Sequence, residues 1–367
     1  MKKVRVMLIS LITAIGVLLA GCGSEESAKT EPEKSLETSS EKAAETPSDK
    51  AEEPSNTGTE KFYFTANEGG TISKINAADN KVTATLKADG IVHNVQVSPD
   101  GKVVAATLVP GGTGGHGGHD EEMKGSVLFY DAKTNALLKT VEVGNHPAHV
   151  VYSKNGKHVL VTNNEDNTVS VIDAASYEVT NTLPTGKGPH GFRISANSQF
   201  AYIANMGEDT VSVINIDTMK EERKIRVGQA PVTAGVTKDG KKLAVTLFAE
   251  NALAIYDLET NESVKVEVGV GPAQVYIGPN DRYAYVANQG TEDKPSSSMS
   301  IVDLSSKTLV DEIETGKGAH GVVTSADGKF AYVTNMFENT VSIIDLESKE
   351  VSTIDVGVIP NGITIME

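Results

Sequence analysis

The chain has 367 residues, with 49 acidic against 33 basic side chains and a net charge of −16. An acidic excess of this size argues against nucleic acid as a partner and against docking on anionic lipid through a folded domain. A single cysteine excludes an intramolecular disulfide, and the lack of tryptophan with only 5% aromatic residues gives no hint of a carbohydrate-stacking surface.

Residues 1–21 carry three basic side chains followed by about fifteen mainly apolar residues, too short for a comfortable membrane span. The segment ends in Leu19-Ala20-Gly21-Cys22 and resembles a bacterial lipoprotein signal. That resemblance implies cleavage before Cys22, a lipid (palmitate) anchor on that cysteine, and a mature protein held outside the cytoplasm at the cell membrane. The alternative is an ordinary export signal with a chance cysteine. Residues 23–60 hold eleven acidic and four basic residues, with Leu36 as the one large apolar side chain. Such a stretch cannot bury enough apolar surface to fold, so 22–60 is expected to be a disordered tether, spanning on the order of 35 Å as a coil.

From residue 61 to 367 the sequence repeats itself. Residues 190–228 and 320–357 share one order: a short apolar strand, a turn, FAY(I/V)xN, a polar turn, a TVS(V/I)I strand and a last strand ending in Val-Gly. Anchoring each unit just after its first strand gives Ser98, Ser153, Ser195, Thr237, Gly278, Ser325 and Met366. Most units are 41 or 42 residues long, and the two long intervals carry their extra residues in one equivalent place, at 109–125 and 289–298. Period-two alternation bounded by Gly, Asn and Asp predicts four short strands per unit and no sustained helix. Four antiparallel strands in about 40 residues is the pattern of a β-propeller blade. The first unit lacks its first strand, and the chain finishes on a first strand at 360–367. The expected fold is therefore all-β, a seven-bladed propeller closed by pairing the C-terminal strand with the N-terminal blade, which removes free sheet edges.

The motifs YVTN (332–335), YIAN (202–205), YVAN (285–288) and LVTN (160–163), each followed by a TVSVID-like strand, resemble the YVTN family of seven-bladed propeller repeats. The likeness covers nearly all of 61–367. It implies the fold and leaves the activity open, because related propellers serve as surface proteins, lactonases, lyases and cofactor-carrying domains. The Asn of each motif is expected to cap the turn that follows it.

The departures from the repeat carry the chemistry. Histidine stands five residues before the anchor in three units (His93, His190, His320), with Asn361 at the same place in the last one. His149 lies one residue further on in the second unit, and His146 is close by. His93, His190 and His320 belong to units one, three and six, the nearest approach to three-fold spacing that seven blades permit. Three imidazoles converging at a channel mouth would suit Zn or Cu, with His149 as a fourth ligand or a supporting group. The bland reading has these rings hydrogen-bonded to the backbone between blades. His116, His119, Asp120 and Glu121 on the inserted Gly-rich loop form a second candidate site on the same face. Met206 and Met336 follow the motif Asn in the units carrying His190 and His320, as thioether ligands or as gap-filling side chains.

No haem-attachment motif, phosphate loop or nucleophile elbow is present, so no catalytic residue is assigned. Three functions fit: a lipid-anchored, monomeric binding module with a metal, small ligand or protein partner on the channel face; a surface structural or interaction propeller without a ligand; and a metal-assisted lactonase- or lyase-like enzyme. The residues favour them in that order.

Overall fold

The Val-, Ile- and Thr-rich runs form 28 strands among the described residues, interrupted by one 3-10 turn, Phe248–Glu250. The computed structural model describes residues 61–111 and 124–366. The expected export signal (1–21), Cys22, the acidic segment 22–60 and the loop residues His116, His119, Asp120 and Glu121 lie outside the described residues.

Each anchor serine ties down the turn that follows its strand. Ser98 Oγ accepts the Val103 amide at 3.0 Å and donates to the Asp100 carboxylate at 2.6 Å. Ser195 and Ser325 repeat this with Phe200 and Asn197, and with Phe330 and Asp327. A short polar side chain that satisfies a turn amide is why this position recurs.

The strands form five four-stranded sheets and one eight-stranded sheet. A representative meander runs Ala319–Thr324, Phe330–Asn335, Thr340–Asp345 and Val351–Asp355, all antiparallel. The eight-stranded sheet is two such meanders joined by a single parallel pairing, Gly191 with Thr233. Pro360–Ile365, the last strand of the chain, pairs antiparallel with Phe62–Asn67, the first. Each meander's first strand contacts the first strand of the next, from Ile91–Val97 through to Pro360–Ile365, which again contacts Ile91–Val97. The 289–298 insertion forms no separate loop. It lengthens a hairpin, whose strands extend to Gly290 and from Pro295.

Burial follows strand order. Every residue of Pro147–Tyr152, an inner strand, is buried, whereas none of Val351–Asp355, an outer strand, is. Apolar side chains from neighbouring sheets interlock between them; Leu160, Phe192, Ile203 and Ile214 share one such cluster. The chain is thus an all-β propeller whose core lies between blades.

The motif Asn does not act as expected. Asn335 Nδ2 donates to Thr340 Oγ1 and Ser342 Oγ across its hairpin, both at 2.9 Å, while its Oδ1 accepts the Gly316 amide at 3.1 Å. It fastens two strands and the preceding segment rather than a turn. This explains the glycine after the last strand of a unit: a Cβ on Gly316 would lie 2.6 Å from Asn335 Cγ, and one on Gly357 of the Val-Gly ending 2.6 Å from Asn67 Cγ. Gly316→Ala is expected to cost about 1–3 kcal/mol by overpacking, read as a lower denaturation midpoint at unchanged m-value. An unchanged midpoint would show that the Asn contact is dispensable.

Candidate functional site

The four histidines sit in irregularities of the inner strands. Pairing with the neighbouring strand slips between Val92 and Val95, Pro147 and Val150, Pro189 and Phe192, and Ala319 and Val322. His93, His149, His190 and His320 each fall inside such a slip, where a bulge re-aims side chains. Threonine hydroxyls fix the spacing between blades. Thr107 accepts the Asn94 amide at 2.9 Å and donates to the Ala148 carbonyl at 3.2 Å. Thr162 does the same between the His149 amide (3.0 Å) and the His190 carbonyl (2.8 Å). Gly191 lets the next inner strand approach, since a Cβ there would lie within 2.3 Å of Thr233 Oγ1.

His93, His149 and His190 present ring nitrogens that all lie within 4.8 Å of one another. This trio comes from three consecutive units, not from the spaced set His93, His190 and His320. The ring centroid of His320 is 6.4 Å from that of His93, and its Nδ1 lies 3.3 Å from the Gln274 side-chain amide. A nearby polar partner, invisible in spacing alone, holds His320 at the edge of the cluster.

The hydrogen bonds determine which nitrogen is available. His93 Nδ1 lies 2.9 Å from Glu68 Oε1, and the Asn361 amide donates to the same oxygen at 2.7 Å. His190 Nδ1 lies 3.3 Å from the Val232 carbonyl. With His190 Nδ1 donating, its Nε2 carries a lone pair and faces His93 Nε2 at 3.2 Å, the distance of a hydrogen bond when His93 carries a proton there and of two ligands to one ion when it does not. His149 is fully buried, and neither of its ring nitrogens has a partner.

Burial keeps the rings of His149, His190 and His320 neutral. Burial, reinforced by the neighbouring imidazoles, holds His149 and His190 well below the usual imidazole range. Burial and then His93 bring His320 down to about 4, against the opposing pull of Glu68. Burial alone would raise Glu68, but hydrogen bonds and charge from His93, with support from His320 and Asn361, outweigh it and lower the carboxyl to about 2.

The donor set fits a transition-metal ion. Zn–N bonds of about 2.0–2.1 Å in a tetrahedral site place nitrogens about 3.3 Å apart, close to the facing Nε2 pair. Neutral imidazoles suit Zn or Cu and not Mg or Ca. A carboxylate that accepts a ligand histidine's other N–H is a recurrent outer partner of such ions. Sequence reading missed Glu68, although a signal existed: it directly follows the motif Asn67, where Met206 and Met336 follow theirs. Met206 is exposed and Met336 is buried. Asn361 lies beside the cluster as a partner of Glu68, 3.3 Å from His93 Nδ1.

Comparison with known proteins bears on the fold. A chain of hydrazine synthase from Kuenenia stuttgartiensis is 18% identical, with a TM-score of 0.64 over 74% of this chain and 89% of that one. A candidate 6-phosphogluconolactonase from Bacteroides fragilis is 15% identical, with a TM-score of 0.66 over 86% of this chain and 100% of that one. At such identities the likeness is one of fold, and 1598 chains of known structure share it, so it selects no activity. No curated protein matches. A YNCE-like β-propeller family matches residues 237–367. The choice-of-anchor I domain family matches residues 54–266, more than half of the sequence, and the chain belongs to that family.

Proposed function

We propose that the protein is a lipid-anchored, extracytoplasmic seven-bladed β-propeller that binds one Zn or Cu ion at the mouth of its channel through His93, His149 and His190. The observation that carries the metal reading is the facing Nε2 pair of His93 and His190, 3.2 Å apart with both Nδ1 atoms engaged. Two lone pairs at that distance repel unless a cation or proton lies between them. The partnerless, fully buried His149 adds a third nitrogen to the same point. Seven blades and ring closure are supported by the 28 strands and by the pairing of the terminal strands. The anchor and location rest on the Leu-Ala-Gly-Cys22 sequence.

The ion would supply a Lewis-acid centre. The chain's own residues do the positioning: Glu68 and the Val232 carbonyl orient two rings, and the inner-strand bulges aim all three inward. Elemental analysis of protein purified without chelator or His-tag is expected to find one equivalent of Zn or Cu per chain. No stoichiometric metal, together with no thermal shift on adding either ion, would overturn the reading in favour of a ligand-free structural propeller. Glu68→Gln is expected to weaken metal binding about 10–100-fold while leaving the fold intact. Unaltered affinity in a chelator-competition titration would show that Glu68 has no role in holding the ion.

A further inference from the structure

A second cluster of polar groups lies deeper in the channel, in a cavity of about 540 Å³ that reaches the turns on the opposite side of the inner strands from the histidines. Arg193 lines this cavity, three residues beyond His190 on the same inner strand. Its one hydrogen bond among the described residues is from Nη1 to the Phe192 carbonyl at 2.9 Å, and no carboxylate pairs with it. That leaves most of a five-donor guanidinium unmatched. Desolvation presses the pKa of this half-buried side chain downward, against an opposing pull from Tyr276.

Several other groups that line the same cavity are also donors. Gln96 uses Oε1 to accept the Tyr152 amide at 2.7 Å, which leaves its amide N–H groups without a partner. Thr364 Oγ1 accepts the Val97 amide at 3.3 Å, so its hydroxyl proton remains to be given. Thr324 is buried and its hydroxyl has no partner. Gly235 contributes no side chain to the cavity wall. The cavity's two carboxylates stand at the turns and are already engaged: Asp100 by Ser98 and the Lys102 amide, Asp281 by the Lys238 and Asp239 amides.

We propose that the channel around Arg193 binds a small oxyanion, a phosphate or a carboxylate, held by the guanidinium and by the donors of Gln96, Thr324 and Thr364. An unpaired cation in a donor-lined, acceptor-poor cavity calls for an anion with several oxygens, and a guanidinium matches such oxygens in pairs. None of these residues is a candidate metal ligand, although the Arg193 charge reaches His149 and helps to hold its ring unprotonated.

Calorimetric titration of the metal-free full-length chain tests this, with inorganic phosphate and malonate as probes and chloride as the control at fixed ionic strength. Saturable binding of at least one oxyanion and none of chloride is expected; which one binds separates the phosphate source from the carboxylate source. Arg193→Gln should weaken it at least about tenfold. Bound oxyanion should also shield Arg193 of the wild-type protein from phenylglyoxal, as read by peptide mass spectrometry, which keeps the test valid should the variant misfold. No saturable binding, equal affinity in a folded Arg193→Gln variant, or unprotected Arg193 would each overturn the proposal. Binding seen only after metal is restored would assign the anion to the ion and also overturn it.

Discussion

His149→Ala is expected to abolish stoichiometric metal binding, with affinity for Zn or Cu falling by more than about a hundredfold, beyond the loss that follows removal of an outer-shell partner. His149 is fully buried, its two ring nitrogens have no hydrogen-bond partner, and its ring centroid is 4.9 Å from that of His190. A buried polar group without a partner costs about 1–3 kcal/mol. The metal-free variant should therefore lose little stability, because removing the imbalance offsets the cavity left by the ring. The metal-bound proteins should separate widely, since an ion adds RT ln(1 + [L]/Kd) to the wild type and almost nothing to the variant. Thermal melts with and without added Zn check this directly. A variant that is equally stabilised by Zn would remove His149 from the site.

The metal-free protein is expected to lose stability steeply between pH 7 and pH 5. His149 and His190 are held well below 6.5 in the folded state, and His320 is lowered to about 4. The unfolded chain binds protons at these three histidines once pH falls below about 6.5, and the folded chain does so only at lower pH. Stability is thus full above 6.5 and declines as pH drops, for His320 until about 4 is reached. Each such histidine contributes about 2 kcal/mol of loss at pH 5, so the three together are a large share of a typical domain stability. Glu68, lowered to about 2, adds its own loss only below about 4.5. Denaturant titrations at pH 7 and pH 5 after chelation would show the effect; a flat profile would mean that the rings already share protons or partners in the folded state.

The all-β propeller was legible in the sequence because its causes are local. Alternation places the strands, and a serine two to five residues from its partners makes each turn, as Ser98, Ser195 and Ser325 do with Val103, Phe200 and Phe330. The role of the motif Asn was misread because its partners, Ser342 and Gly316 for Asn335, sit across a hairpin and in the preceding segment. The site was legible only as a set of repeat positions. Spacing around a ring favoured His93, His190 and His320, yet bulges turn side chains independently of blade count, and they bring His149 in while Gln274 holds His320 aside. Glu68 was hidden because its partners His93 and Asn361 are 25 and 293 residues away along the chain. Arg193 was hidden for a similar reason: that no carboxylate pairs with it shows only once the inner strands are assembled.

The central claim is that three imidazoles share one ion. X-ray absorption at the metal edge, on the protein loaded with one equivalent of Zn, measures this most directly. The structure predicts a first shell dominated by three imidazole nitrogens at about 2.0 Å, and its loss in His190→Ala. A shell made mainly of carboxylate oxygens, or one unchanged in His190→Ala, would contradict it.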